Sequence, residues 1–170
     1  MKKSKSVQFI FSVLFAFISV QSIKAQVKIS LDDFQVLNDT SWKGELTYIN
    51  YQDGKPVSIP STMQVRITDR AIERDIQYSY EPDKNISSIT KIRKKGTHLG
   101  KQKVIAKSVE SDGSIKLVTT YKGKDDGKKA IMIYTYLFNS DSFKVIKEVQ
   151  FVGTEERFMR NKYDYKKVMP

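Results

Sequence analysis

Residues 103–138 read KVIAKSVESDGSIKLVTTYKGKDDGKKAIMIYTYLF, and this stretch decides the fold. Ser111-Asp-Gly113 separates two runs, Lys103–Glu110 and Ser114–Lys122. Asp-Gly between alternating residues marks a hairpin, because the glycine takes the positive φ that tight hairpin turns demand. In the second run Ile115, Leu117, Thr119 and Tyr121 share one face. A period of two belongs to a β-strand, whose side chains alternate across the sheet. Lys122–Lys129 reads as a polar turn. Ala130–Phe138 is apolar or aromatic at every position except Thr135. It fits a strand covered on both faces, or one that lines a cavity.

The same period extends in both directions. Trp42, Gly44, Leu46 and Tyr48 alternate with Lys43, Glu45 and Thr47. Val57 and Ile59 lead to Pro60, which predicts an edge or a bulge there. Met63, Val65 and Ile67 form one face, and Ile76, Tyr78 and Tyr80 another. Ile86–Arg93 is a weaker strand that ends in the loop Lys94–Gly100. Phe143, Val145, Lys147, Val149 and Phe151 alternate again, and a last strand runs over about Arg157–Lys167. This gives eight to ten strands with turns about every 8–12 residues and no convincing helix, the pattern of an antiparallel sandwich or closed barrel. There is no internal repeat and no domain boundary. Residues 26–40 form a lead-in, extended or a single helical turn, and 41–168 form one all-β domain.

The N-terminus reads differently. Met1–Ser6 carries three lysines and no acid, and Val7–Val20 is apolar except for Gln8, Ser12 and Ser19. A basic head, a short apolar run and a small residue at the cut predict a secretory signal peptide over residues 1–25. The run is too short to span a membrane, which takes about 20 apolar residues. The cut is placed after Ala25 to within a few residues, since Ile23 is not small. Localisation is therefore expected to be periplasmic or secreted, with no transmembrane segment in the mature chain. Removing Lys2, Lys3, Lys5 and Lys24 takes the net charge from +11 to about +7. The chain has no cysteine, which excludes disulfides, thiol catalysis, thiolate metal sites and a lipid anchor on cysteine. A single histidine, His98, excludes a multi-histidine metal site.

Two segments carry a family resemblance: Ser41-Trp-Lys-Gly-Glu-Leu-Thr-Tyr48 and Phe158-Met-Arg-Asn-Lys-Tyr-Asp-Tyr165. They resemble the first and last strands of lipocalin-like (calycin) barrels, and the plan is similar to small exported lipocalin-like proteins of Gram-negative bacteria. The resemblance implies a single antiparallel up-and-down barrel. It also implies that Trp42 is packed beneath a basic residue of the last strand, with Arg160 the first candidate and Arg157 the second. Gly44 follows the tryptophan here, where lipocalins place glycine two residues before it. The family disulfide and C-terminal helix are missing.

A barrel of this size either fills its interior or holds one small ligand. Met63, Tyr78, Tyr80, Tyr121, Met132, Tyr134 and Tyr136 are the candidate ligand-binding residues, tyrosine offering an apolar ring with a hydroxyl to orient a guest. The plain alternative is that these side chains are core. An interior cavity of about 300 Å³ or more favours binding, and a filled interior favours a protein-interaction module. His98 invites haem ligation, but its basic, glycine-flanked turn argues for a solvated loop, so no cofactor is expected. Lys91, Arg93, Lys94, Lys95, Lys101 and Lys103 form a basic cluster. Export and the lack of a groove-reading helix argue against nucleic acid; anionic surface lipid is the better partner, and a solvated rim the plain reading. The acid pairs Asp32-Asp33, Asp125-Asp126 and Glu155-Glu156 are expected to be solvated. The sequence thus favours a non-catalytic exported barrel that binds a small apolar or amphipathic ligand. The alternative is an accessory module that binds an envelope protein, and an enzyme is the third reading.

Overall fold

Alternating segments form strands close to where the period of two places them. The computed structural model describes residues 26–168; the expected signal peptide at 1–25 lies outside the described residues. The strands are β1 (Thr40–Ile49), β2 (Pro56–Ile67), β3 (Ile72–Tyr78), β4 (Ile86–Thr90), β5 (Ile92–Arg93), β6 (His98–Leu99), β7 (Gln102–Val109), β8 (Ile115–Asp125), β9 (Lys128–Phe138), β10 (Ser142–Phe151) and β11 (Phe158–Lys167). A 3-10 helix, Leu31–Leu37, precedes them, and another, Pro82–Lys84, links β3 to β4. Among the described residues no helix is long and apolar enough to cross a membrane.

All eleven strands join one antiparallel sheet, in the order β4-β3-β2-β1-β11-β10-β9-β8-β7-β6-β5. Every neighbouring pair except β1–β11 is consecutive in the chain, which makes an up-and-down meander. The two ends of the sheet, β4 and β5, are separated only by Lys91. The sheet therefore curls back on itself into a nearly closed barrel. The segment expected as one weak strand, 86–93, pairs with β3 through its first half and with β6 through its second. That divided allegiance, with the two-residue β5 and β6, takes the count past the expected eight to ten.

The β1–β11 seam depends on Gly44. A Cβ built there would stand 2.0 Å from the Asp164 carbonyl oxygen and 2.8 Å from Tyr165 Cα. Only a residue without a side chain lets the two backbones approach this closely. Trp42, two residues earlier, is fully buried. Its indole N–H donates to Thr40 Oγ1 at 2.8 Å, and Thr40 in turn donates to the Leu37 carbonyl. The lead-in helix is thereby tied to β1. Its Phe34 stacks on Phe138 with centroids 5.4 Å apart, so residues 31–37 plug one end of the barrel.

Three expectations are corrected. Arg160 does not lie across Trp42, whose β11 partner is Lys167. Seven residues of strand, at about 3.4 Å each, put Arg160 at the opposite end of the barrel. There the β11 register shifts, and the guanidinium sits 4.1 Å from the centre of the Tyr51 ring and donates to the Ile49 carbonyl. Arg157 is no substitute, since it is exposed beside Gln150. Phe143, 6.2 Å away, is the aromatic neighbour of Trp42. Second, the polar turn expected over 122–129 shrinks to Asp126-Gly127. Both have positive φ, 47° and 72°, as a two-residue hairpin turn of type I′ requires. Third, because β8 continues to Asp125, that residue falls on the inward parity of Tyr121. It is buried, and not solvated as its place in an acid pair suggested.

Candidate ligand cavity

Inward positions follow from the register. Opposite one another on the inner face lie Met63 and Ile76, Val65 and Arg74, Tyr136 and Val145, and Tyr163 and Val145. Most of these side chains pack; some do not meet. Two adjoining cavities of about 260 and 240 Å³ remain. Each is a little under the ~300 Å³ at which small-molecule pockets begin. Arg74, Gln102, Tyr136 and Phe143 line both, so the cavities share a wall or a waist there. The first runs under the plug between Phe34, Leu37, Ile72 and Leu99, and reaches the surface at Ile89 and Lys101 beside the unclosed seam. The second lies between Met63, Ile76, Val145, Tyr134, Tyr163 and Tyr165 and reaches the surface at the exposed Ile86.

The lining is amphipathic. Tyr136 donates to Gln102 Oε1 at 2.9 Å, and Thr119 donates to the same oxygen at 2.6 Å. The Tyr165 and Ser61 hydroxyls are 2.9 Å apart, and those of Tyr78 and Tyr163 2.8 Å. Burial pushes the Tyr165 phenol up to about 12. It raises Tyr78, Tyr134 and Tyr136 as well, by disfavouring a phenolate away from water. These tyrosines are neutral hydrogen-bonding groups over the whole physiological range.

Of the residues singled out in the sequence, Met63, Tyr134 and Tyr136 line the cavities. Tyr78 faces inward but is occupied with Tyr163. Tyr121 stacks on Tyr134 at 6.2 Å, and Met132 is fully buried beside Ala130 and Val149; both serve packing. Tyr80 is a correction. It has the parity of Ile76 and Tyr78, yet it is 79 % exposed. β3 ends at Tyr78, whose N–H goes to the Asn85 side chain instead of to a strand partner. Past a strand end, parity no longer fixes direction. Arg74, Gln102, Tyr163 and Tyr165 were missed. For Arg74 the signal was present, since it shares the inward parity of Ile72 and Ile76.

The opposite end of the barrel holds a charge cluster. Lys147 Nζ is 2.7 Å from Asp125 Oδ1, Arg160 Nε is 3.8 Å from Asp125 Oδ2, and the Tyr51 hydroxyl donates to Asp125. With its oxygens so engaged, Asp125 offers nothing for the weak calcium ligation that an acid pair can support. His98 is half-buried, with Nδ1 2.9 Å from Thr97 Oγ1. Its pKa is lowered, by loss of hydration and then by Lys94 and Lys103.

No family model and no curated protein matches the chain. One solved structure is similar: a protein of unknown function from the DUF3598 family of Nostoc punctiforme, 12 % identical, with a TM-score of 0.39 over 83 % of this chain and 50 % of that one. The chain thus spans about half the length of that protein.

Proposed function

We propose that the protein is an exported, non-catalytic barrel of lipocalin-like plan that takes up a small amphipathic molecule between the plug and the tyrosine-lined inner wall. The observation that carries this reading is the pair of adjoining interior cavities, apolar on most sides and lined with hydroxyl, amide and guanidinium groups at their waist. A core whose only purpose is stability gains most by closing such space, because unfilled volume forfeits dispersion contacts. Nothing in the lining pairs a nucleophile with a base, so the chemistry it supports is binding. Mass spectrometry of organic extracts from purified protein, together with uptake of a fluorescent apolar probe, tests the reading. A co-purifying amphiphile, or saturable one-to-one uptake, is the expected result. An empty extract with no uptake overturns it.

One observation favours a second reading, an envelope-protein interaction module. On the outer face, the half-buried Ile131 and Leu137 of β9 lie beside the half-buried Val118 of β8 and Ile146 of β10. That apolar outer stripe suits a protein partner. Crosslinking in cells that recovers a single partner through this face, with an empty interior, would favour it.

A further inference from the structure

Arg74 is the one guanidinium that lines both cavities. It stands on β3 between Ile72 and Ile76, opposite Val65 on β2 and Ser88 on β4. Its chain neighbours Glu73 and Asp75 are acids, but alternation turns them to the outside, where Arg66 takes Glu73 at 2.5 Å. Among the described residues, no carboxylate forms an ion pair with Arg74. At the far end of the barrel the inward charge of Asp125 is matched by Lys147 and Arg160. Arg74 is half-buried, and its guanidinium, which has no hydrogen-bond partner among the described residues, keeps contact with water, so its charge is open to a guest that displaces that water. Arg74 lines the second cavity together with Tyr136 and Tyr165, whose phenols its positive charge acts to lower against the upward push of burial. Beside it, Gln102 has its oxygen occupied by two hydroxyls, leaving the amide N–H₂ as a donor at the same waist. Lys101 adds a second positive charge at the mouth.

From this arrangement we infer that the ligand is an acidic amphiphile, whose anionic head is held by Arg74 and Gln102 while its apolar tail lies among Phe34, Leu37, Ile72 and Phe143. The inference rests on the reading of the interior as a binding site and adds the charge of the guest. A guanidinium presents a planar fork of donors that matches the two oxygens of a carboxylate. Charge-assisted hydrogen bonds of this kind correspond to about 10–100-fold in affinity.

Calorimetric titration of the purified protein with decanoate and with 1-decanol tests it, each against the native chain, Arg74→Leu and Arg74→Lys. The native chain is expected to bind decanoate at least ~10-fold more tightly than decanol. Arg74→Leu should lose that preference while keeping decanol, and Arg74→Lys should keep part of it. The comparison of the two probes on the native chain needs no variant, so it decides the matter even if Arg74→Leu does not fold. Equal binding of both probes by the native chain overturns the acidic guest and leaves the cavity as a binding site. Binding of neither overturns the binding site itself, and the acidic guest with it.

Discussion

Asp125→Asn tests whether the far end of the barrel is held by charge. Asp125 is 9 % exposed, and its partners Lys147 and Arg160 have side chains 16 % and 21 % exposed. Asparagine keeps the shape, so no cavity opens; it removes the negative charge and leaves two cations beside a neutral amide. Removing one partner from a buried pair costs about 3–5 kcal/mol. Here Lys147 and Arg160 each retain some contact with water, which places the loss at the lower end, about 3 kcal/mol. For a domain of this length each kcal/mol moves Tm by roughly 3–4 °C, so Tm should fall by about 10 °C. Thermal melts followed by circular dichroism read this directly. A double variant, Asp125→Leu with Lys147→Met, should lose less than Asp125→Asn, since replacing a buried pair by apolar groups is often near neutral. If Asp125→Asn melts within about 3 °C of the native chain, the cluster is decoration and the reasoning fails.

Gly44→Ala should open the β1–β11 seam, because the new methyl meets the backbone of Asp164 and Tyr165 and no side chain can move aside. A loss above the ~1–3 kcal/mol usual for overpacking is expected in urea titration; an unchanged midpoint would refute the close approach. Alkaline stability should follow the buried tyrosines. Their unfolded pKa is about 10, while that of Tyr165 in the fold is about 12 and those of Tyr78, Tyr134 and Tyr136 are also raised. Above about pH 10 the unfolded chain releases phenolic protons that the fold retains, so stability is level below that pH and falls as pH rises through 12. Urea midpoints against pH, with phenolate absorbance alongside, check this; a midpoint level to pH ~12 contradicts the burial. Phe34→Ala removes a ring that is 3 % exposed and stacked on Phe138. It should cost about 3 kcal/mol and increase uptake of an apolar probe by enlarging the first cavity. Unchanged stability and uptake would mean that the plug is dispensable.

Much of the fold was legible because its determinants are local. Alternation marked β1, β2, β3, β8 and β10 to within a few residues, and Asp112-Gly113 marked the β7–β8 turn, where Glu110 N–H reaches the Ser114 carbonyl at 2.8 Å. The errors lie at strand ends. Tyr80 was counted inward because parity was extended past Tyr78, and Asp125 was counted as turn because the charged run 122–129 hid a two-residue hairpin.

The amino-acid sequence by itself determined the class of structure: period-two alternation and tight turns specify strands and hairpins residue by residue, since both depend on neighbours in the chain. Only the tertiary structure decided what each inward side chain meets. Whether an inward residue fills the core, as Met132 does, or borders open space, as Tyr136 does, depends on how far apart strands distant in sequence are held when the sheet curls and its last hydrogen bonds are shared between β3 and β6. Those distances also leave Arg74 at the cavity waist without a counter-charge among the described residues, and carry Arg160 away from Trp42. Alternation tells which way a side chain points. Barrel closure sets what it meets.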